Sequence, residues 1–261
     1  MKVGFIGCGN MAKAMIHGML GSKKVQPQEM IASAKSEKTR EAISSQIGIR
    51  AAKTNTEVLE FADIVFLAVK PQYLEAVLVE IREAVRPSQV FVSLAPGKTL
   101  DQRLGSETKL IRTMPNTPAM VGAGMTGLCV NSHVTEEETS LVCELCNTFG
   151  RTEVVPEALI DVVVGVSGSS PAYVFLFLEA MADAAVADGM PRAQAYEFAA
   201  QAVMGSAKLM LETGKHPGEL KDMVCSPAGT TIEAVRVLEE KGFRSAVIEA
   251  QKACVKKARG L

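Results

Sequence analysis

Val3-Gly4-Phe5-Ile6-Gly7-Cys8-Gly9-Asn10-Met11-Ala12 decides the fold of this chain. An apolar strand runs into G-x-G-x-x-A and then into an amphipathic helical pattern, Met11–Leu20. A bare glycine fingerprint is weak; one placed between a strand and a helix, inside a βαβ unit, reads as a dinucleotide-binding turn. Gly7 permits the tight turn, Gly9 lets the backbone approach a pyrophosphate, and Ala12 still allows close helix-to-strand packing. The phosphates would rest on the unpaired N–H groups at the positive end of the helix.

Outward from that turn, short apolar runs alternate with helical segments. Strands are predicted at Lys2–Ile6, Glu29–Ser33, Asp63–Ala68, Gln89–Leu94 and Lys109–Thr113, with a weak one near Ile49. Gly124–Val130 and Arg151–Val155 read as later additions, and Lys38–Ile47 and Tyr73–Val85 as helices between strands. This alternation is the signature of a doubly wound parallel sheet. After Pro156 the strands stop, and helical patterns cover Ile160–Val166, Pro171–Ala187, Arg192–Glu212 and Gly229–Lys257, punctuated by residues such as Gly189, Gly214, Pro217 and Gly242. The expected class is α/β: an N-terminal Rossmann-type doubly wound sheet over residues 1–155, followed by an all-helical C-terminal domain over 156–261. The second half is rich in Ala, Met, Leu and Val. It suits either a self-contained helical core or a surface hidden in a partner subunit.

With 28 Lys+Arg against 29 Asp+Glu there is no basic field to hold nucleic acid. The longest apolar runs, such as Ala172–Leu178, fall far short of the roughly 20 residues of a membrane helix. Met1-Lys2-Val3-Gly4 leads into a strand rather than a signal peptide, so a cytoplasmic protein acting on a small molecule is expected. The six cysteines are scattered, as in a reducing compartment. Cys143-Glu144-Leu145-Cys146 spells C-x-x-C, but no second pair or nearby histidine supports it, and two cysteines on the apolar side of a helix are the better interpretation. No metal is expected.

Where an NAD-selective protein places an acid after its second strand, this chain has Ser33-Ala34-Lys35-Ser36. Hydroxyls and a lysine suit a 2′-phosphate, so NADPH is the expected cofactor and NADH a weaker alternative; Glu37 lies one residue beyond and could turn inward. Ala68-Val69-Lys70-Pro71 and Leu94-Ala95-Pro96-Gly97 follow strands and should line the cofactor crevice. Lys70 reads equally as a catalytic acid, a phosphate contact or a solvent-facing residue.

Three further segments stand out: Arg112-Thr113-Met114-Pro115-Asn116-Thr117-Pro118, Ser167-Gly168-Ser169-Ser170-Pro171-Ala172-Tyr173, and Asp222 through Ser226-Pro227-Ala228-Gly229-Thr230-Thr231. The last places a Ser-Pro and a Gly-Thr-Thr at a helix start, which serves as a carboxylate site as readily as a cap. With Phe66–Pro71 and His216-Pro217-Gly218, these segments resemble pyrroline-5-carboxylate reductases over essentially the whole chain. Ser170 stands where a Gly is common in that family, and Pro96 where an Ala is.

The resemblance implies reduction of 1-pyrroline-5-carboxylate to L-proline, the last step of proline biosynthesis, by an oxidoreductase acting on a CH–NH bond. It implies NADP(H) at Ile6, Gly7, Cys8, Gly9, Asn10, Met11, Ser33, Asn55, Ala68, Val69, Lys70, Pro71, Leu94, Ala95 and Pro96, to which the residues themselves add Lys35. The substrate would be bound by Glu157, Val224, Gly229, Thr230 and Thr231, with Thr231 the catalytic candidate. Family members pair as dimers through the helical domain and often form decamers. A β-hydroxyacid or imine reductase, using Lys208 or Lys221, is the nearest rival; an NADP-sensing or pyridoxal-phosphate-carrying module is the non-enzymatic one.

Overall fold

The computed structural model describes residues 1–94, 104–105 and 107–260. The chain divides into two compact units, one of Met1–Gly168 joined by the C-terminal end from Ala258, the other of Ser169–Lys257.

In the first unit, β1 (Val3–Ile6), β2 (Met30–Ser33), β3 (Arg50–Ala52), β4 (Ile64–Leu67), β5 (Val90–Ser93), β6 (Lys109–Met114), β7 (Gly124–Val130) and β8 (Gly150–Val154) form one sheet, ordered β3-β2-β1-β4-β5-β6-β7-β8. Neighbours pair in parallel except β6 with β7. The first six strands carry the order expected of a dinucleotide-binding sheet, which reverses beside β1 and opens a crevice at the strands' C-terminal ends.

β1, β2, β4 and β5 are buried throughout, because helices cover both faces. One core joins Val3, Phe5, Phe66 and Val92 to α1 (Asn10–Gly21) and α5 (Glu136–Cys146); the other joins Ile6, Val65, Leu67 and Phe91 to α3 (Asn55–Phe61) and α4 (Pro71–Ile81). Phe5 stacks on Phe66 with centroids 4.7 Å apart, and burying each ring contributes roughly 2–3 kcal/mol. α2 (Glu37–Ala42) continues into a π-helical turn, Ile43–Ile47.

α6 (Ile160–Val163) packs on β7, where a Cβ at Gly127 would stand 2.7 Å from Val163 Cγ1. That packing keeps the segment after Pro156 in the first unit, and the compact units therefore part at Gly168–Ser169 rather than at 155–156.

The second unit is all-helical: α7 (Ser170–Ala187), α8 (Arg192–Thr213), α9 (Pro217–Val224), α10 (Thr230–Glu240) and α11 (Phe243–Ala258). Gly242, at φ +74°, breaks the predicted run Gly229–Lys257 into two helices. Within Ser169–Lys257 the only buried hydrophobic residues are Ala182, Ala195 and Ala199, while Phe175, Leu176, Phe198 and Leu211 are each more than 60% exposed. Three alanines are not a core. This chain alone leaves the unit's apolar faces uncovered, which removes the alternative of a self-contained bundle.

One helical run of the chain is more apolar than uninterrupted stretches of sequence indicate. Glu157–Ala187 is a 31-residue helical run containing an 18-residue window of mean hydropathy 1.6, long and apolar enough to cross a membrane by length and composition alone. The uninterrupted runs stay short because Ser167-Gly168-Ser169-Ser170-Pro171 divides the segment, with Asp161, Glu179 and Asp183 placed singly along it.

Candidate cofactor cleft and carboxylate turn

Gly7 sits at φ +92°, and a Cβ there would lie 2.8 Å from the Ala68 carbonyl oxygen and 2.9 Å from Val69 Cγ1. The turn after β1 and the loop after β4 thus meet closely, and Ala68 N donates to Ile6 O at 2.9 Å. Gly9 differs: at φ −78° any residue fits, and a Cβ would meet nothing within 4 Å. The fold makes no demand for glycine there, and the open approach suits a group that must come close to the backbone. Gly9 caps α1, whose first turn carries no acidic residue and no side-chain cap. Bare N–H groups at a positive helix end fit a pyrophosphate.

Ile6 and Cys8 are buried, whereas Asn10 and Met11 open α1. Burial, against the opposing charge of Lys13, pushes the Cys8 thiol up, so Cys8 is a packing residue rather than a thiolate. Lys70 is the exposed N-cap of α4 and Pro71 its first residue. Leu94 follows β5, its N–H on Leu67 O at 3.2 Å; Ala95 and Pro96 lie outside the described residues.

A cleft of about 570 Å³ brings together Gly7, Ser33, Lys35, Asn55 and Val69 from the sequence-predicted set. It adds Arg40, Lys53, Tyr73 and Glu80, which the sequence did not single out. Glu37 opens α2, is exposed and does not line the cleft. Ser33 Oγ donates to Asn55 Oδ1 at 2.6 Å, and Asn55 Nδ2 donates to Glu80 Oε2 at 2.8 Å.

In the helical unit, Val224 ends α9, and the turn 225–229 leads into α10 at Thr230 and Thr231. Ala228 holds φ +56°, a left-handed conformation rare for a residue with a Cβ. Gly229 caps α10, and a Cβ on it would collide with Ser226 Oγ at 2.3 Å. The turn therefore presents the first N–H groups of α10 with no side-chain cap on them, an arrangement suited to a carboxylate.

Residues 157–261 match the family model for the pyrroline-5-carboxylate reductase dimerisation domain, and residues 2–97 match that for NADP oxidoreductase, coenzyme F420-dependent. The chain is 58% identical to pyrroline-5-carboxylate reductase of Escherichia coli strain K12, over 100% of this chain and 98% of that one. The chain belongs to the pyrroline-5-carboxylate reductase family. A Coxiella burnetii member matches it in structure with a TM-score of 0.93 at 32% identity, covering 99% of this chain and 97% of that one. The Plasmodium falciparum enzyme, solved with NADP bound, matches with a TM-score of 0.90 at 29% identity, covering 100% and 97%.

The dimerisation segment of this reductase-family chain begins at Glu157, whose carboxylate is gripped by the buried Arg112 guanidinium and accepts from Cys129 Sγ at 3.0 Å. Glu157 thus stands in the first unit with two partners. Burial, ahead of the opposing Arg112 charge, raises the Cys129 thiol. Asn116 bridges locally, donating to Ser167 O at 3.0 Å and accepting from Met125 N at 2.8 Å. Cys143 and Cys146 are free thiols on α5; Cys146 is buried and its thiol is pushed far up by that burial. The uncovered apolar faces of α7, α8 and α11 lie within the segment that matches the dimerisation domain. The apolar run Glu157–Ala187 lies there too.

Proposed function

We infer that this chain reduces 1-pyrroline-5-carboxylate to L-proline at the expense of NADPH, acting on a CH–NH bond, with NADH a weaker alternative. The observation that carries this inference is the full-length identity of 58% to the Escherichia coli enzyme. The lack of any heavy atom within 4 Å of a Cβ at Gly9 and the uncapped, acid-free start of α1 fit a dinucleotide pyrophosphate.

NADPH, when bound, supplies the hydride that the imine carbon accepts. Gly229 N–H is engaged by Ser226 O at 3.1 Å and shapes the turn, the amides of Thr230 and Thr231 hold the substrate carboxylate at the head of α10, and Val224 supplies an apolar wall; Glu157, fixed by Arg112 in the first unit, is a further substrate-binding residue. Thr231 Oγ hydrogen-bonds the ring nitrogen. A threonine hydroxyl is far too weak an acid to protonate it, so its part is to orient the ring and relay a proton from water. Most of the acceleration comes from holding the two reactants in register. Activity resides in the cytoplasm, and dimers paired through the helical unit assemble further into decamers, a state that native mass spectrometry reads directly. Oxidation of NADPH on addition of pyrroline-5-carboxylate tests the function; a hydroxyacid reductase or a sensing module gives no such turnover.

A further inference from the structure

β2 and β3 are parallel neighbours with Ser33 opposite Ala52, so the chain leaves both strands at the same edge of the sheet. That register brings Lys35, Arg40 and Lys53, separated in sequence, to the lining of one cleft. None of the three forms an ion pair with a described carboxylate, and Lys35 Nζ lies instead 5.9 Å from the Tyr73 ring centroid. Among the described residues Glu80 is the one acid lining the cleft, and its carboxylate accepts from Asn55. Positive charge that is neither paired nor dispersed around a concave site is a receptor for an anion.

Hydrogen-bond inventory divides the labour. Ser33 gives its only proton to Asn55 Oδ1, leaving lone pairs that suit a ribose hydroxyl, a donor carried by both nicotinamide dinucleotides. A phosphate dianion has only acceptors to offer, so Ser33 cannot read it without breaking that bond. Arg40 has the donors that a phosphate needs. Its Nη1 alone braces the loop, donating to Ala34 O at 2.9 Å and Lys35 O at 3.0 Å, and the rest of the fork is available for two-pronged contact. Building on the NADP(H) inference above, we propose that Arg40 and Lys53, assisted by Lys35, clamp the 2′-phosphate and are the specificity-determining residues for NADP(H) over NAD(H). Ser33 and Asn55 hold the ribose of either.

The test is calorimetric titration of the full-length protein with NADP⁺, NAD⁺, 2′,5′-ADP and 5′-AMP, without substrate. Arg40→Gln and Lys53→Met should each weaken NADP⁺ and 2′,5′-ADP by about 10- to 100-fold, the range of a lost charge-assisted contact, while NAD⁺ and 5′-AMP change little. Ser33→Ala should weaken both dinucleotides by a similar factor. Lys53 Nζ makes no hydrogen bond to a described residue, so Lys53→Met keeps the test valid if Arg40→Gln loosens its loop. Unchanged NADP⁺ affinity in both variants, or equal losses for NADP⁺ and NAD⁺, overturns the proposal. Wild type that binds NADP⁺ but does not turn over pyrroline-5-carboxylate defeats the substrate inference alone; wild type that binds neither dinucleotide defeats both.

Discussion

Replacing Gly9 with serine should separate folding from cofactor binding. Gly9 has an extended backbone at the N-cap of α1, a Cβ there meets nothing within 4 Å, and the helix has no side-chain cap. Serine is among the favoured N-caps, so the cofactor-free protein should hold its stability or gain a few tenths of a kcal/mol. The same hydroxyl occupies the approach to the turn and competes for the amides of Met11 and Ala12. Each charge-assisted amide contact contributes about 1.5–3 kcal/mol. Losing two costs about 3–6 kcal/mol, and NADPH should bind roughly 100- to 10,000-fold more weakly at about 1.4 kcal/mol per decade. The chain has no tryptophan, so the fluorescence of NADPH itself reports binding without a competing indole signal, beside thermal unfolding of the cofactor-free protein. Gly7→Ala is the contrasting control: its φ of +92° and the 2.8 Å approach to Ala68 O predict a loss of about 2–4 kcal/mol of stability. A Gly9→Ser protein that binds NADPH within threefold of wild type would refute the reasoning, as would one that unfolds well below wild type in the absence of cofactor.

Thr231→Ala should lower kcat by about 10- to 1000-fold, the range of a lost positioning or relay contact, and leave NADPH affinity unchanged; unaltered turnover removes Thr231 from the mechanism. Ala228→Gly should relieve about 1–2 kcal/mol of left-handed strain at φ +56° and give back about 0.4–1 in unfolded-chain entropy, a net gain near 0.5–1 kcal/mol in denaturant unfolding; a loss of stability contradicts that backbone assignment. Burial raises the Glu138 carboxyl, but Lys109 Nζ at 2.6 Å and the Thr135 backbone N–H outweigh it and hold it below its ordinary 4.5. Its stabilisation is therefore full above pH 4.5 and lost as pH falls through the depressed value. The stability gap between wild type and Glu138→Gln, about 0.5–1 kcal/mol at neutral pH, should narrow steadily on acidification below pH 4.5; a gap that does not change with pH rejects this origin.

The sheet was legible in sequence because β1, β2, β4 and β5 are buried on both faces and so read as continuous apolar runs. α3 was not, since Asn55–Phe61 offers two buried apolar side chains, Val58 and Leu59, too few to define a helical period. The boundary read at 155–156 adjoins the start of the matched dimerisation segment at 157, whereas the compact units part later because leaving the last strand at Val154 is not leaving the sheet: Val163 still packs on β7. Gly7 and Gly9 share a motif, but only geometry separates the glycine that the fold requires from the one that a ligand would. Arg40 and Lys53 escaped detection because sequence distance hides what the β2–β3 register brings together; knowing that Ser33 faces Ala52 would have found them. The bareness of the helical unit was open in sequence, and the burial of three alanines alone decides it.

The most direct test of the central claim is isotopic. Protein supplied with NADPH deuterated at C4 on the transferred face and with pyrroline-5-carboxylate should yield L-proline carrying one deuterium at the former imine carbon, read by mass spectrometry and NMR. Proline without deuterium, or no proline at all, would contradict hydride transfer from NADPH to this substrate.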